Sequence, residues 1–203
     1  MYWVVFDYGE VLSKKTAALP ELAQQLGVAA AEFEPAYWAE REPYDRGCHE
    51  SQYWRAVGAR LGVEVDDETV AALTKADGEG WLVFEPEAEA LLTELHEAGV
   101  ALALLSNAPA SFGRAVELRP WSGKFRTLIF SGDLKCAKPD PEIWAELLRR
   151  LDAAPEKCVF FDDRQVNIDG ALAAGLDARL WTGAADARAY LTGRISGFGG
   201  SAS

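Results

Sequence analysis

Cysteine and histidine are scarce in this chain: three of its 203 residues are cysteine and two are histidine. The cysteines (Cys48, Cys136 and Cys158) are widely spaced and form no CxxC pair, which argues against a cysteine-based zinc site. An odd number of thiols without metal spacing is typical of a reducing compartment. We therefore expect free thiols that act as small hydrophobic residues of the core.

Basic residues are also in deficit, with 20 lysines and arginines against 32 acidic residues and a formal net charge of −12. Nucleic acids and anionic membranes both favour a basic surface, so neither is an expected partner. An anionic small molecule would need a local positive site formed by a metal ion, a helix N-terminus or a lysine.

Long apolar runs are absent too. The N-terminal run over residues 1–6 meets a charge at Asp7, which makes it too short for a signal peptide or a membrane span. Together with the free thiols, this predicts a cytoplasmic protein.

Short β-prone runs alternate with helical patterns over much of the chain. Each helix is predicted from apolar residues at a spacing of three and four, and this alternation predicts an α/β fold with a doubly wound parallel sheet. The predicted strands are residues 2–6, 100–105, 127–130, 158–161 and, more weakly, 178–181. The predicted helices are residues 85–98, 141–151 and 167–174.

Residues 14–85 break the alternation. They contain four helical patterns (residues 18–26, 30–40, 50–61 and 67–76) and no convincing strand, so we expect an inserted α-helical cap domain. The α/β core is then residues 1–13 and 86–203. Its tail, from about residue 193, is rich in Gly and Ser and is expected to be disordered.

Polar residues follow each of the first four predicted strands. They are Asp7, then Ser106 and Asn107, then Lys138, then Asp162 and Asp163. In an open α/β sheet, ligands bind at the carboxyl ends of the strands, so these side chains are expected to share one site. Taken singly, each is as well explained by a turn, a helix cap or a surface charge. The adjacent acidic pair is harder to explain that way, because like charges repel unless they share a cation.

The segments that contain these residues resemble the haloacid dehalogenase superfamily, in particular its small phosphatases with a helical cap after the first strand. The resemblance rests on VVFDYGEVLS (4–13), LLSNAP (104–109), CAKPDPEIW (136–144) and VFFDDRQVNIDGALAAG (159–175). The YDRG segment (44–47), followed by YW (53–54), also resembles the cap of that subgroup. The resemblance to this superfamily implies a Rossmann-like core and a hydrolase that needs Mg²⁺.

The resemblance also implies a role for each matching residue. Asp7 corresponds to the nucleophile that forms an aspartyl-phosphate, and Lys138 to the lysine that neutralises Asp7 and the phosphate. Ser106 and Asn107 correspond to the segment that hydrogen-bonds the phosphoryl oxygens.

The same resemblance implies a Mg²⁺ site formed by Asp7, the backbone carbonyl of Gly9, and Asp163. Asp162 is expected to orient its neighbours, and Lys135 to be a surface charge.

Gly9 departs from the usual pattern, because most phosphatases of the superfamily have there an aspartate that acts as acid and base. A subgroup with the motif Asp-x-Gly-x-Val shares the glycine, and some of its members act on sugar phosphates. Glu10, and His49 or Glu50 from the cap, are candidate substitutes. Arg164 is a further candidate, for a substrate anion or for a purely structural role.

The sequence therefore predicts a hydrolase of a small phosphorylated metabolite, with sugar phosphates among the candidates. The alternative outside catalysis is a weakly active, phosphate-binding regulatory protein. A 2-haloacid dehalogenase is disfavoured, because Tyr8 and Gly9 lie one place earlier than in that branch and Val11 replaces its threonine. A phosphosugar mutase is disfavoured more strongly, because it depends on the missing aspartate.

Overall fold

A five-stranded parallel sheet forms the centre of the protein, in a computed structural model that describes residues 1–195, 198 and 199. The strand order is β3-β2-β1-β4-β5. The strands are β1 (Trp3–Phe6), β2 (Ala101–Ser106), β3 (Thr127–Phe130), β4 (Cys158–Asp162) and β5 (Asp177–Leu180). The helices of the described part are α1 (Leu19–Gln25), α2 (Ala30–Ala39), α3 (Arg41–Asp45), α4 (Glu50–Leu61), α5 (Asp67–Trp81), α6 (Pro86–Glu97), α7 (Ala110–Glu117), α8 (Ser131–Leu134), α9 (Pro141–Leu151), α10 (Gln165–Ala173) and α11 (Ala184–Leu191).

The predicted fold class is confirmed, and each predicted strand lies within one residue of an observed one. The predicted helices also form, and α4 and α9 begin and end where expected. Helices α3, α7, α8 and α11 were not predicted from the sequence, and α5 extends five residues beyond its predicted end. The α5 error has a clear origin: residues 77–80 read Asp-Gly-Glu-Gly, and glycine has low helix propensity.

The sheet has a hydrophobic layer on each face. On β1, Val4 and Phe6 point into one layer and Trp3 and Val5 into the other, as the alternation of a strand requires. Helices α6, α7 and α11 cover the first layer, and α9 and α10 cover the second. All four residues of β1 are buried, which is typical of the central strand of a doubly wound sheet.

Helices α1–α5 lie between β1 and α6 in the chain, and we call residues 19–81 the helical segment. Its buried residues form a third hydrophobic cluster, separate from the two layers of the sheet. Where the chain leaves and re-enters the sheet core, Ser13 and Phe84 form an antiparallel bridge. The predicted domain boundaries lie next to this bridge, and the division into two domains remains a prediction.

The tail departs from the expectation of disorder where it is described. Ile195 and Phe198 are buried and belong to the first hydrophobic layer, as expected of large apolar side chains that gain free energy from burial. Residues 196, 197 and 200–203, which the same expectation covers, lie outside the described residues.

The three cysteines are unpaired thiols, as expected. Cys158 lies in the core, whereas Cys48 and Cys136 are only partly buried, which corrects the expectation of three core residues. Across the described ranges, every helix is too short or too polar to span a membrane.

Two glycines of α5 provide a matched test of its packing. A Cβ on Gly80 would lie 2.7 Å from Thr16 Oγ1 and against the Ala18 Cβ, whereas a Cβ on Gly78 would meet no atom within 4 Å. We expect Gly80→Ala to lower the free energy of unfolding by about 1–3 kcal/mol. Gly78→Ala should raise it by up to about 1 kcal/mol, because alanine favours the helix. Urea unfolding of the two variants and the native chain measures both changes, and a Gly80→Ala variant as stable as Gly78→Ala would contradict the packing described.

Candidate active site

Three neighbouring strands bring acidic and polar residues to one edge of the sheet. Asp7 directly follows the central strand β1, and Ser106 and Asp162 end the flanking strands β2 and β4. Phe6 of β1 is in register with Leu104 of β2 and with Phe161 of β4. The next residues along the chain, Asp7 and Asp162, therefore lie side by side. The parallel register thus assembles the predicted residues at the carboxyl edge of the sheet.

The Lys138 ammonium lies at the centre of this edge and is almost fully buried. It donates to Asp7 Oδ1 at 2.6 Å, to Asp162 Oδ2 at 2.7 Å and to the Leu105 carbonyl at 2.8 Å. A lysine ammonium has three donors, and here all three are used. One positive charge is therefore shared between two buried carboxylates.

Asp162 is saturated with hydrogen bonds. Besides the bond from Lys138, its oxygens accept from Asn167 Nδ2 at 2.9 and 3.0 Å and from the Arg164 backbone N–H at 2.8 Å. Its side chain is completely buried. This carboxylate is suited to holding Lys138, Asn167 and the start of α10 in place, and has little capacity left for a metal ion.

Asn107 fastens the loop that contains Lys138. Its Nδ2 donates to the Lys138 carbonyl at 2.9 Å, and its Oδ1 accepts from the Lys138 N–H at 2.8 Å. Both functional atoms of the amide are therefore engaged with the Lys138 backbone. The side chain of Asn107 thus positions the lysine, a contact that the sequence analysis did not foresee. Ser106 is buried but still lines the cavity described below.

The buried charges shift each other's protonation. Burial raises the pKa of Asp7 to about 7; Lys138 opposes this shift, and Asp162 adds to it. Burial lowers the pKa of Lys138, but Asp7 and Asp162 outweigh that effect, so its pKa is raised overall. Burial and the adjacent Asp162 also raise the pKa of Asp163. The site therefore has more negative charge than one lysine can neutralise.

This surplus suits a divalent cation. One oxygen from each of Asp7, Asp162 and Asp163 lies within 4.8 Å of the other two, so the negative charge is concentrated at one point, and Asp7 and Asp163 are the carboxylates with capacity to bind a cation. Three carboxylates and one ammonium leave two negative charges, and carboxylate oxygens are the ligands that Mg²⁺ prefers. Asn167 Oδ1 is a buried acceptor without a hydrogen-bond partner among the described residues, and Asn167 lines the same cavity. These groups fit a hydrated cation.

A cavity of about 490 Å³ opens above these groups, between the sheet edge and the helical segment. Asp7, Gly9, Ser106, Asn107, Lys138 and Asp163 all line it, so the structure brings the predicted residues together, with Asp162 directly behind them. Of the candidate substitutes for the acid and base, Glu10 lines this cavity. Arg164, the candidate for a substrate anion or a structural role, also lines it. His49 and Glu50 do not. They line a separate, larger groove of about 760 Å³, which contains none of the residues predicted to bind the phosphate or the metal ion.

The turn after β1 and the first residue after β2 leave backbone N–H donors without a backbone partner. Within the described chain, the N–H groups of Gly9, Glu10 and Asn107 donate to no backbone carbonyl. Glu10 has a φ of 57°, in the left-handed region that few residues adopt. A turn of alternating handedness with unpaired N–H groups is suited to binding an anion.

The roof of the cavity contains residues that the sequence analysis did not assign. Trp38, Trp81, Arg41 and Asp45 come from the helical segment and line the cavity. Only Trp38 lies in a predicted helix, where aromatic residues at helical spacing indicated a bundle core, and Asp45 was noted only as part of the YDRG segment. Nothing local in the sequence reveals which face meets the sheet edge. A Cβ on Gly9 would contact Trp81 Cζ3 at 3.7 Å, an ordinary van der Waals distance, so the backbone at this position tolerates an added Cβ.

Comparison with known proteins places this site in context. A family model for haloacid dehalogenase-like hydrolases matches residues 3–175. The chain is 36% identical over 100 residues to a phosphoserine phosphatase of Thermus thermophilus, which is 47% of this chain and 39% of that protein. The chain thus spans less than half the length of this curated relative.

Two solved structures share the fold at low sequence identity. L-2-haloacid dehalogenase from Xanthobacter autotrophicus superposes with a TM-score of 0.72 at 22% identity, covering 97% of this chain and 84% of that one. An enzyme of the same family from Bacteroides thetaiotaomicron, in complex with magnesium and inorganic phosphate, has a TM-score of 0.70 at 18% identity. That match covers 90% of this chain and 95% of that one. At these identities the likeness shows the fold alone.

The shared ammonium predicts a pH-dependent stability defect. In the absence of divalent cations, we expect Lys138→Met to lower the free energy of unfolding by roughly 3–5 kcal/mol at about pH 8, because two carboxylates are left buried without a counter-charge. Burial already raises the pKa of Asp7 above its unfolded value, and the loss of Lys138, which opposes that shift, raises it further, so the cost disappears as the pH falls below the unfolded value. The defect should therefore be much smaller at about pH 5.

Urea unfolding at the two pH values measures this effect, and the double variant Asp7→Asn/Lys138→Met is the control. It should be more stable at high pH than Lys138→Met alone, because one of the two charges is gone. An equal defect at both pH values would show that Lys138 acts through packing rather than charge.

Proposed function

The chain belongs to the haloacid dehalogenase-like hydrolases, and from this membership we propose that it hydrolyses a small phosphorylated metabolite through an aspartyl-phosphate on Asp7. The observation that supports this most directly is the ion pair between Lys138 and Asp7 at the end of the central strand. It places a carboxylate oxygen at the floor of a cavity with a permanent positive charge beside it. Phosphoryl transfer depends mainly on such positioning and charge stabilisation.

In the first step, an oxygen of Asp7 attacks phosphorus and the leaving group departs on the opposite side. Lys138 keeps Asp7 ionised and partly neutralises the phosphate. The free N–H groups of Gly9, Glu10 and Asn107, together with Ser106, are proposed to hold the phosphoryl oxygens. In the second step, water attacks phosphorus and releases phosphate and free Asp7. Asn107 contributes by fixing the Lys138 backbone, which keeps the ammonium in register with Asp7.

Mg²⁺ would be held by Asp7, Asp163 and the Gly9 carbonyl, and when bound it would neutralise charge that develops on the phosphoryl oxygens. Asp163 is exposed to the cavity, in contrast to the saturated Asp162. This division of labour supports the assignment of Asp163 as ligand and Asp162 as a positioning residue.

Dehalogenation is the second candidate, because a haloacid dehalogenase shares this fold. The surplus of negative charge at Asp7, Asp162 and Asp163 favours the phosphatase. It would repel a haloacid carboxylate in the absence of a cation, whereas a phosphate ester binds together with one.

Hydrolysis is tested by phosphate release from a panel of small phosphate esters, including sugar phosphates, with Mg²⁺ present. We expect turnover by the native chain and a loss of at least about 10³-fold in Asp7→Asn, because an amide oxygen is a poor nucleophile. Asp133→Asn, a change outside the cavity, should retain the native rate.

Two outcomes would contradict the proposal. Equal phosphate release by the native chain and Asp7→Asn would leave only a phosphate-binding, regulatory role. Chloride release from 2-chloropropionate in the presence of EDTA, without phosphatase activity, would establish the dehalogenase instead.

The cation site is tested without turnover. We expect Mg²⁺ alone to raise the melting temperature, with a stabilisation of about 2.7 kcal/mol at a concentration 100 times its dissociation constant. Asp7 must lose its proton to bind the cation, and its pKa is about 7, so the shift should grow as the pH rises from about 6 to about 8.

Asp163→Asn should abolish this shift, and Asp169→Asn, a change to an exposed carboxylate on α10, should retain it. A full Mg²⁺ shift in Asp163→Asn would remove that residue from the site.

A further inference from the structure

Gly9 leaves the proposed hydrolase without an acid and base beside its nucleophile, so another side chain in the same cavity has to move the protons. Five carboxylates line the cavity: Asp7, Glu10, Glu42, Asp45 and Asp163. Asp7 and Asp163 already have roles in the proposed function. Glu10, Glu42 and Asp45 are the carboxylates of the cavity that remain for proton transfer.

Two of these three are poorly placed. The Glu42 side chain is 80% exposed and pairs with Arg46. Glu10 is exposed, on a turn where its backbone lies in the left-handed region. A proton donor has to be held at the leaving group in a site from which water is excluded. Neither exposed carboxylate meets that requirement.

Asp45 does meet it. Its side chain is 18% exposed, on the cavity wall opposite the sheet edge. Its backbone carbonyl accepts a hydrogen bond from Ser131 Oγ at 2.5 Å, and Ser131 Oγ accepts one from the Ala108 N–H at 2.9 Å. Ala108 directly follows Ser106 and Asn107. The end of α3 is therefore fastened to the end of β2, where the phosphoryl group is proposed to bind.

The charges around Asp45 suit a group that both gives and takes a proton. Its Oδ1 accepts from Arg41 Nε at 2.9 Å, and no described residue donates to Oδ2. Burial raises the pKa of Asp45 to about 6; Arg41 opposes the shift, Asp77 from α5 adds to it, and Arg164 at the start of α10 opposes it. Arg41 also pairs with Asp77 at 3.0 Å, so its charge is divided between two carboxylates.

We propose that Asp45, from the helical segment, is the acid and base of the reaction in place of the residue that Gly9 lacks. This rests on the proposed function. As Asp7 bonds to phosphorus and the bond to the leaving oxygen breaks, the Asp45 carboxyl gives its proton to that oxygen. The Asp45 carboxylate then takes a proton from water as the water oxygen bonds to phosphorus and the bond to Asp7 breaks. Phosphate leaves, and Asp45 is protonated again.

The test compares two leaving groups. p-Nitrophenyl phosphate needs no protonation of its leaving group, whereas the best primary alkyl phosphate of the panel does. We expect Asp45→Asn to lower kcat for the alkyl ester by about 10²–10⁴-fold and to lower kcat for the aryl ester far less. A loss of equal size for both esters would mean that Asp45 is only structural, and would overturn the proposal.

Asp77→Asn is the matched control, because it breaks the same Arg41 ion pair network without removing the acid. Its effect on the ratio of alkyl to aryl kcat should be far smaller than that of Asp45→Asn, because the proton-donating carboxyl is still present. The ratio of the two kcat values therefore separates proton transfer from damage to the roof of the cavity.

Gly9→Asp gives an independent measurement should Asp45→Asn fail to fold. The position tolerates an added Cβ beside Trp81. In the native background, the ratio of alkyl to aryl kcat should stay nearly constant, because Asp45 already supplies the proton. In the Asp45→Asn background, Gly9→Asp should restore alkyl turnover. A large rise of the ratio in the native background would overturn the proposal, whereas absence of all turnover in the native chain would overturn the proposed function instead.

Discussion

One buried ammonium shared between two carboxylates organises the end of the sheet. Lys138 holds Asp7 and Asp162 together across the ends of β1 and β4. Removing the charges of Lys138, Asp7 and Asp162 from water costs free energy. Their mutual attraction compensates for that cost only when the hydrogen-bond geometry is excellent. That requirement explains why Asn107 clamps the Lys138 backbone with two hydrogen bonds. The contacts that compensate for the buried charge of Lys138 therefore also fix the position of Asp7.

The helical segment repeats this arrangement. Arg41 is shared between Asp45 and Asp77, and the rings of Tyr37 and Tyr44 lie within 6 Å of its guanidinium. In both clusters burial raises the pKa of a carboxyl, the shared cation opposes that shift, and a second carboxylate adds to it. The floor and the roof of the cavity therefore each hold an acidic group that ionises near neutrality. Tyr44, through Ser111, and Arg46, through Asp140, fasten the roof to the core.

The sequence predicted the floor well and the roof poorly. Continuous apolar runs identified the strands, and the parallel register then brought Asp7, Ser106 and Lys138 together, because strand ends meet at one edge. The direction of a side chain on an inserted helix has no such rule. Asp45 ends a helix of only five residues, and its contact with Ser131 joins residues 86 positions apart. The hydrogen bonds between the Asn107 side chain and the Lys138 backbone were likewise not predicted, because the fold of the Lys138 loop was not available from local pattern.

The bridge between Ser13 and Phe84 brings the two ends of the helical segment to one point of the core. An insertion whose ends meet can be replaced by one of different length without disturbing the strands that flank it. Because the proposed acid and base, Asp45, lies on that insertion, replacing the insertion would also remove the group that moves the protons. Residues 9 and 45 are then expected to vary in concert during evolution: a descendant that loses the acid of the roof stays active only if it regains one on the floor.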